Sequence, residues 1–357
     1  MIEPRPVGGP HAHSGASIGR TMGLVMLALV PITLFGLYQF GWPAVFLLLV
    51  TLAASVAAEA LSLKMAGKPV KLFVFDGSAI LTGWLIVLSL PPWAPWWIGV
   101  LGAFIAIMLA KHAFGGLGQN VFNPAMIART VLLISFPVEM TRFLAPKPFF
   151  SGDTPGFYEG LSISFSGHPA FDSISSASLL GTVKTQLGQG VALSDILSSD
   201  FNLWDMAFGI VPGSLGETSV VLVLLGGLFL LITRVITWHV PVAMIATMVL
   251  LAGLSNLIDP GVYPGPQVHL VSGTFLFAAF FFATDYVTAP STGLGKLLFG
   301  AGIAALTFII RIWGAYPEGV GFSILLMNAA VPLMDTYIKP RIYGRTRSGE
   351  PIRHEDM

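Results

Sequence analysis

The 357-residue chain contains no cysteine, and only 10% of its residues are charged. The first absence removes thiolate-ligated iron-sulfur clusters, disulfides and thiol nucleophiles from what the chain supplies by itself. Haem would then depend on histidine. Of the seven histidines, His11, His13 and His354 fall in the tails and His168 in a long polar segment. His112, His239 and His269 stand near the ends of apolar runs, and no run offers the facing pair that a bis-histidine haem needs. The scarcity of charge has its counterpart in 54% hydrophobic residues and a mean hydropathy of +0.80. A water-soluble globule of ordinary composition cannot hide that much apolar surface, so the chain reads as an integral membrane protein in contact with lipid. Its 18 basic and 18 acidic residues give zero net charge, so no global field draws it to nucleic acid.

Crossing a bilayer takes about 20 apolar residues. The sequence offers roughly ten such runs: about 21–40, 43–63, 77–91, 96–112, 123–138, 217–235, 240–257, 269–284, 297–312 and 319–338. The third and eighth are short. The first is too long for a cleaved signal peptide and has no small-residue cleavage site after it, so it is expected to be the first span. An inside N-terminus places Arg5, Arg20, Lys64, Lys68, Lys71, Lys111, Arg234, Lys296, Lys339, Arg341, Arg345, Arg347 and Arg353 on the cytoplasmic side. Only Arg142, Lys147 and Lys184 lie clearly outside, with Arg129 and Arg311 near membrane boundaries. The positive-inside rule therefore puts both termini in the cytoplasm.

The expected organisation is an all-α membrane protein with a cytoplasmic tail (1–20), five spans (21–138), an extracytoplasmic loop (139–216), five more spans (217–338) and a second cytoplasmic tail (339–357). The loop is rich in Ser, Gly and Asp, and its stretch SSASLLGTVKTQLGQGVALSDILSS has room for one or two short helices. Loops of this length are functional or mobile. An odd number of spans per half means that any internal repeat is inverted. Each half also has a short third span ending at proline, ILTGWLIVLSLPPWAP at 80–95 and FLFAAFFFATDYVTAP at 275–290. Interrupted spans in matching positions point to a central site at the repeat interface.

The sixth run opens unusually, as PGSLGETSVV at 212–221. Ser214 and Glu217 fit the S/T-x-x-E capping box, a sufficient structural reason for both. Thr218 and Ser219 are left over, in a first turn where unpaired amides and a partial positive charge favour phosphate.

GSLGETS strongly resembles the flavin-attachment motif of the D subunits of Rnf complexes, membrane-bound ferredoxin:NAD oxidoreductases related to the B subunit of sodium-pumping NADH:quinone reductase. SGASIGRTMGLVMLALVPITLFGLYQFG, FDGSAILTGWLIVLSLPPWAPWW, KHAFGGLGQNVFNPAMIARTVLLISFP and ATDYVTAPSTGLGK resemble the same family, and only the loop at about 140–210 does not. The resemblance implies FMN joined by a phosphoester bond to Thr218 and installed outside by a flavin transferase, with Ser214, Gly216, Glu217 and Ser219 around it. It also implies a second, noncovalent riboflavin, a urea-transporter-like fold, a bacterial cytoplasmic membrane, and partner subunits carrying flavin and iron-sulfur centres. The chain would then couple electron flow between NADH and ferredoxin to movement of Na⁺ or H⁺, as part of an assembly and not alone. Flavin suits a chain without metal ligands, since the protein need only fix the ring and tune its potential.

Other features weigh less. GGLGQN at 115–120 lacks the Lys-Ser/Thr of a P-loop and reads as a tight cytoplasmic turn. Asn120, Asn123 and Pro124 could offer polar groups to a ring or an ion. Arg129 and Asp285 are ionisable groups close to spans, which are costly unless paired or facing water. Asp285 is a candidate for a polar core near a flavin or ion path, with Asp76 as its possible counterpart. Two alternatives remain open at this point: a urea-transporter-like solute channel without redox activity, and a B-type component of the quinone reductase.

Overall fold

The computed structural model of the chain describes residues 17–152, 154–166, 179–200, 202–316 and 318–340. The tails named above, apart from 17–20 and 339–340, lie outside them. Among the described residues every regular element is helical and no β-strand occurs.

Helix α1 (Ile18–Met65) covers the first two apolar runs without a loop between them. It is broken at Gly41, whose φ of 71° and ψ of −157° are open to glycine and little else. Pro43 adds to the break, because it has no N–H for the carbonyl of Gln39. The freed carbonyls are satisfied from elsewhere. Lys147 N donates to Gln39 O at 2.8 Å, Phe149 N to Tyr38 O at 2.9 Å, and Trp93 Nε1 to Phe40 O at 2.9 Å. The chain reverses at this corner, so that Met22 near one end of α1 and Glu59 near the other both approach residues 77–78. Polar residues inside α1 are neutralised locally: Thr33, Thr51, Ser55 and Ser62 each donate to the carbonyl four residues back.

Helix α2 (Ser78–Ser89) and helix α3 (Trp96–Phe104, continuing in wider π-type turns over Ile105–Lys111) pack on α1 through small residues. A Cβ on Gly83 would run into Ser55 Oγ, and one on Gly99 into Thr51 Oγ1. Close approach over small residues is how helices associate where the surrounding lipid is as apolar as their own side chains. Helix α4 (Pro124–Ser135) starts at Asn123, which caps it by accepting from Met126 N at 3.2 Å, with proline at the first helical position.

The second set comprises α5 (Val220–Ile232), α6 (His239–Ile258), α7 (Phe275–Phe277, widening over Ala278–Phe282), α8 (Gly293–Trp313) and α9 (Val320–Tyr337). Between the sets run five short helices, Pro137–Thr141, Phe157–Ser166, Leu179–Gly188, Leu193–Asp200 and Leu203–Phe208. Two of them fall in the stretch where the composition left room for one or two.

Among the described residues five helices are long and apolar enough to cross a membrane: α1, the α3 segment Trp96–Phe114, α6, α8 and α9. The third and eighth runs are short, as expected, but so are the fifth and sixth, since α4 and α5 are each under 18 residues. The two sets share local features. Gly77 (φ 83°) precedes Ser78 at the start of α2, and Gly273 (φ 69°) precedes Thr274 at the start of α7. Ser17-Ile18-Gly19-Arg20-Thr21 at the start of α1 and Ser214-Leu215-Gly216-Glu217-Thr218 before α5 both read S-x-G-x-T.

Candidate functional site

The stretch before α5 does not form a capping box. Helix α5 starts at Val220, and its N-cap is Ser219, which accepts from Leu222 N at 3.4 Å and donates to Ala207 O at 3.1 Å. Residues 214–218 instead run as a docked turn. Leu215 N donates to Leu90 O at 3.2 Å and Gly216 N to Leu88 O at 2.6 Å, which ties the turn to the end of α2. Gly216 is required by closeness, since a Cβ there would lie 2.9 Å from the Leu88 carbonyl oxygen. On another side Gly36 of α1 abuts the Leu215 carbonyl, and the Leu203–Phe208 helix ends in Gly209 (φ 87°) directly against the Thr218 carbonyl.

This docking leaves polar atoms without partners. Among the described residues Thr218 Oγ1, only 1% exposed, makes no hydrogen bond, and the fully buried Ser214 Oγ has only the folded-back Glu217 carboxylate near it. Buried hydroxyls are otherwise bonded in all but rare cases. Arg129 of α4 lies 3.6 Å from Glu217 and 2.5 Å from Glu318, and its Nη1 is also unpartnered. Glu318 holds the start of α7 by accepting from Thr274 N and Thr274 Oγ1. Arg129, Glu217, Gly273 and Glu318 line a cleft with about 480 Å³ of empty space. Beside it Arg311 donates to His269 O at 2.6 Å and Ser272 O at 3.0 Å. Lys184, in the segment 139–216, donates to the carbonyls of Arg311, Gly314 and Tyr316 at the end of α8, and desolvation lowers its pKa below the ordinary value.

Asn123 and Asp285 are at the other end of α5. They line a larger cleft, with about 840 Å³ of empty space partly open to solvent, together with Thr21, Ser78, Lys111 and Asn120. Leu230, near the last turn of α5, lines it too. At 1.5 Å per residue the helix between the two clefts, Val220 to Leu230, rises about 15 Å. Asn123 is also a joint between the two helix sets: its Nδ2 donates to Phe282 O at 3.1 Å, and its N–H to Asn328 Oδ1 at 3.1 Å. Asp285 accepts from Thr288 Oγ1 at 3.0 Å. Asp76 takes its bonds locally, from Ser78 N at 2.7 Å and Ser78 Oγ at 2.6 Å. The GGLGQN stretch is a tight turn, with Gly115, Gly116 and Gly118 all at positive φ.

The structure thus brings Ser214, Gly216, Glu217, Thr218 and Ser219 together at one end, and Asn123 with Asp285 at the other. Sequence reasoning missed Glu318 and the roles of Lys111 and Glu59. Lys111 is not a loop cation but a buried partner of Glu59, at 2.8 Å. A lone carboxylate in the apolar run VAAEALSL is the available signal for Glu59.

The profile of the NQR2, RnfD, RnfE family matches residues 7–344. The chain is 46% identical over 346 residues to the D subunit of the ion-translocating oxidoreductase complex of Halorhodospira halophila, covering 97% of each chain. It is 50% identical over 337 residues to the protein of that name from Stutzerimonas stutzeri (94% of this chain, 95% of the other). The Rhodobacter capsulatus protein of that name is 51% identical over 316 residues (88% and 87%).

Proposed function

The chain belongs to the NQR2, RnfD, RnfE family, and from that premise we propose that it is a membrane subunit of an ion-translocating oxidoreductase complex of Rnf type, with FMN bound covalently to Thr218. The observation that carries this reading is the Thr218 hydroxyl, enclosed just before α5 with no hydrogen-bond partner among the described residues. Ser214 Oγ and Arg129 Nη1 supply a hydrogen-bonding group and a positive charge nearby. These residues fit a phosphate and the polar edge of a ring. When bound, the flavin supplies transfer of one or two electrons. The chain's part is to hold the phosphate at the positive end of α5, to exclude water with the Leu203–Gly209 segment, and to set the local charge through Arg129, Glu217 and Glu318. Because Thr218 is enclosed, attachment outside by a flavin transferase needs that segment to stand away from it.

The inner cleft is the place for the noncovalent riboflavin, with Asn123 and Asp285 offering polar groups to its edge. A crevice of this size, mostly apolar with a few convergent polar groups, is the usual form of a cofactor site. Thr21, in the first turn of α1, lines the inner cleft, and Glu217, just before α5, lines the outer one. That opposition, with the matching Gly77 and Gly273 turns, supports two inverted five-helix halves of urea-transporter-like topology, bounded as the sequence predicts. Partners are the other membrane and peripheral subunits, and electrons pass between NADH and ferredoxin with movement of Na⁺ or H⁺ across a bacterial cytoplasmic membrane, both termini inside. A solute channel has no use for a carrier threonine, and the relatives compared above, each a D subunit by name, favour the Rnf type over the quinone reductase.

The test is a denaturing gel viewed for flavin fluorescence, using chain made together with a flavin transferase. A fluorescent band that disappears in Thr218→Val, with a matching mass on the Thr218 peptide, supports the reading. An unmodified peptide in the wild type overturns it.

A further inference from the structure

A line of polar side chains at the inner end of α1, with Glu59, Lys111 and Ser78 buried, runs from the glycine turn to the edge of the inner cleft. Glu59 and Lys111, each 2% exposed, pair at 2.8 Å. The second oxygen of Glu59 lies 3.0 Å from His112 Nε2, a close approach without hydrogen-bond geometry. Lys111 Nζ donates to Ser78 Oγ at 2.8 Å, and that hydroxyl donates to Asp76 Oδ1 at 2.6 Å. The two ends of the line differ. His112 is half-buried beneath the glycine turn, its ring 3.8 Å from where a Cβ on Gly116 would sit, while Lys111 and Ser78 line the inner cleft.

Packing does not account for this arrangement. An ion pair withdrawn from water returns little or no net stability over apolar residues of the same volume. Ionisable groups inside spans face the interior and mark ion or proton paths. Charge counting makes the point specific. The line sets two carboxylates, Asp76 and Glu59, against one ammonium, Lys111, with the imidazole of His112 beside the free oxygen of Glu59. Lys111 already occupies the place between the carboxylates that a metal cation would take. The other charged groups facing the line are Lys68, whose Nζ bonds Gly115 O over the turn, and Asp285 across the cleft.

We propose that His112, Glu59 and Lys111 form a proton relay from water beside the glycine turn to the inner cleft. The relay rests on the redox reading of the chain. A flavin-class acceptor in the cleft that takes an electron pair from the partner subunits, originating in NADH or ferredoxin, gains negative charge in a medium of low dielectric. Lys111 Nζ passes it one proton and becomes a neutral amine, Glu59 hands that amine a proton received from a His112 already protonated by water, and the neutral His112 takes a new proton from water. Oxidation of the acceptor returns the proton by the same groups in reverse, so electrons and protons balance over a cycle. His112, Glu59 and Lys111 are thereby assigned to a step that touches the acceptor only at Lys111.

The experiment uses the purified full complex, reduced rapidly with NADH between pH 6 and 9, with flavin absorbance as the readout. Glu59→Gln and His112→Gln should slow one phase of reduction by at least about tenfold at alkaline pH, where protons are scarce. Added imidazole should restore the rate of His112→Gln, which a merely structural role would not allow. Lys111→Arg keeps the charge but holds its proton too tightly, and should slow the same phase at every pH. A pH profile identical to wild type in Glu59→Gln and His112→Gln, or slowing that is uniform with pH and not rescued, overturns the relay. Flavin fluorescence on the denatured chain is read in the same preparations, so loss of the covalent flavin would register separately as failure of the redox reading.

Discussion

Arg129 of α4 and Glu318, just before α9, close an ion pair of 2.5 Å across 189 positions of chain. Glu318 also bonds the start of α7, so three helices depend on one carboxylate. Arg129→Met leaves Glu318 and Glu217 enclosed without their cation, and should destabilise the protein by about 3–5 kcal/mol. Arg129→Met combined with Glu318→Gln should recover part of that loss. Thermal denaturation in detergent of the two single variants and the double variant measures the coupling.

Gly209 stands where its φ of 87° and the nearby Thr218 carbonyl both require glycine, since a Cβ there would run into that oxygen. Gly209→Ala should cost about 1–2 kcal/mol from the left-handed backbone alone. The larger effect is displacement of the 214–218 turn, which should lower the yield of fluorescent chain on a denaturing gel. Gly188→Ala is the control, since nothing lies within 4 Å of its added Cβ.

Ser219→Ala removes both the cap of α5 and the bond to Ala207. The expected loss is about 1 kcal/mol. Hydrogen exchange should quicken at Leu222 and in residues 203–208 together, because one hydroxyl holds both.

Lys184 gives a pH dependence whose sign follows from burial. Its pKa in the folded protein is lowered from 10.5 by desolvation, so the unfolded chain holds the proton more tightly. Stability then rises with pH between the lowered value and 10.5. Compared with Lys184→Met, the wild type should gain in melting temperature as pH increases through that window, and a relative loss would contradict the assignment.

Much of the helix layout is legible in the sequence because apolar runs of span length have few other uses. The interrupted third and eighth runs follow from proline and glycine, whereas the sequence pairs Asp285 with Asp76 and does not join it to Asn123, with which it lines one cleft. The capping box fails for a physical reason. Ser214 and Glu217 fit the local pattern, but the Leu88 and Leu90 carbonyls hold the turn from far away in sequence, and the helix starts only at Val220. Gly41 reads as part of a connection between two spans and is the whole connection. The Arg129–Glu318 and Glu59–Lys111 pairs have no sequence signature beyond the charges themselves, since pairing across such separations is set by tertiary geometry alone.

The corner at Gly41 bears on how the protein is made. Two of the carbonyls exposed there are paired by amides at Lys147 and Phe149, which leave the ribosome only after the third, fourth and fifth apolar runs have been synthesised. Until then the corner has backbone carbonyls with no amide to meet them, and a chain released before residue 147 never acquires those partners, so the first helix pair is completed only by residues beyond the fifth apolar run.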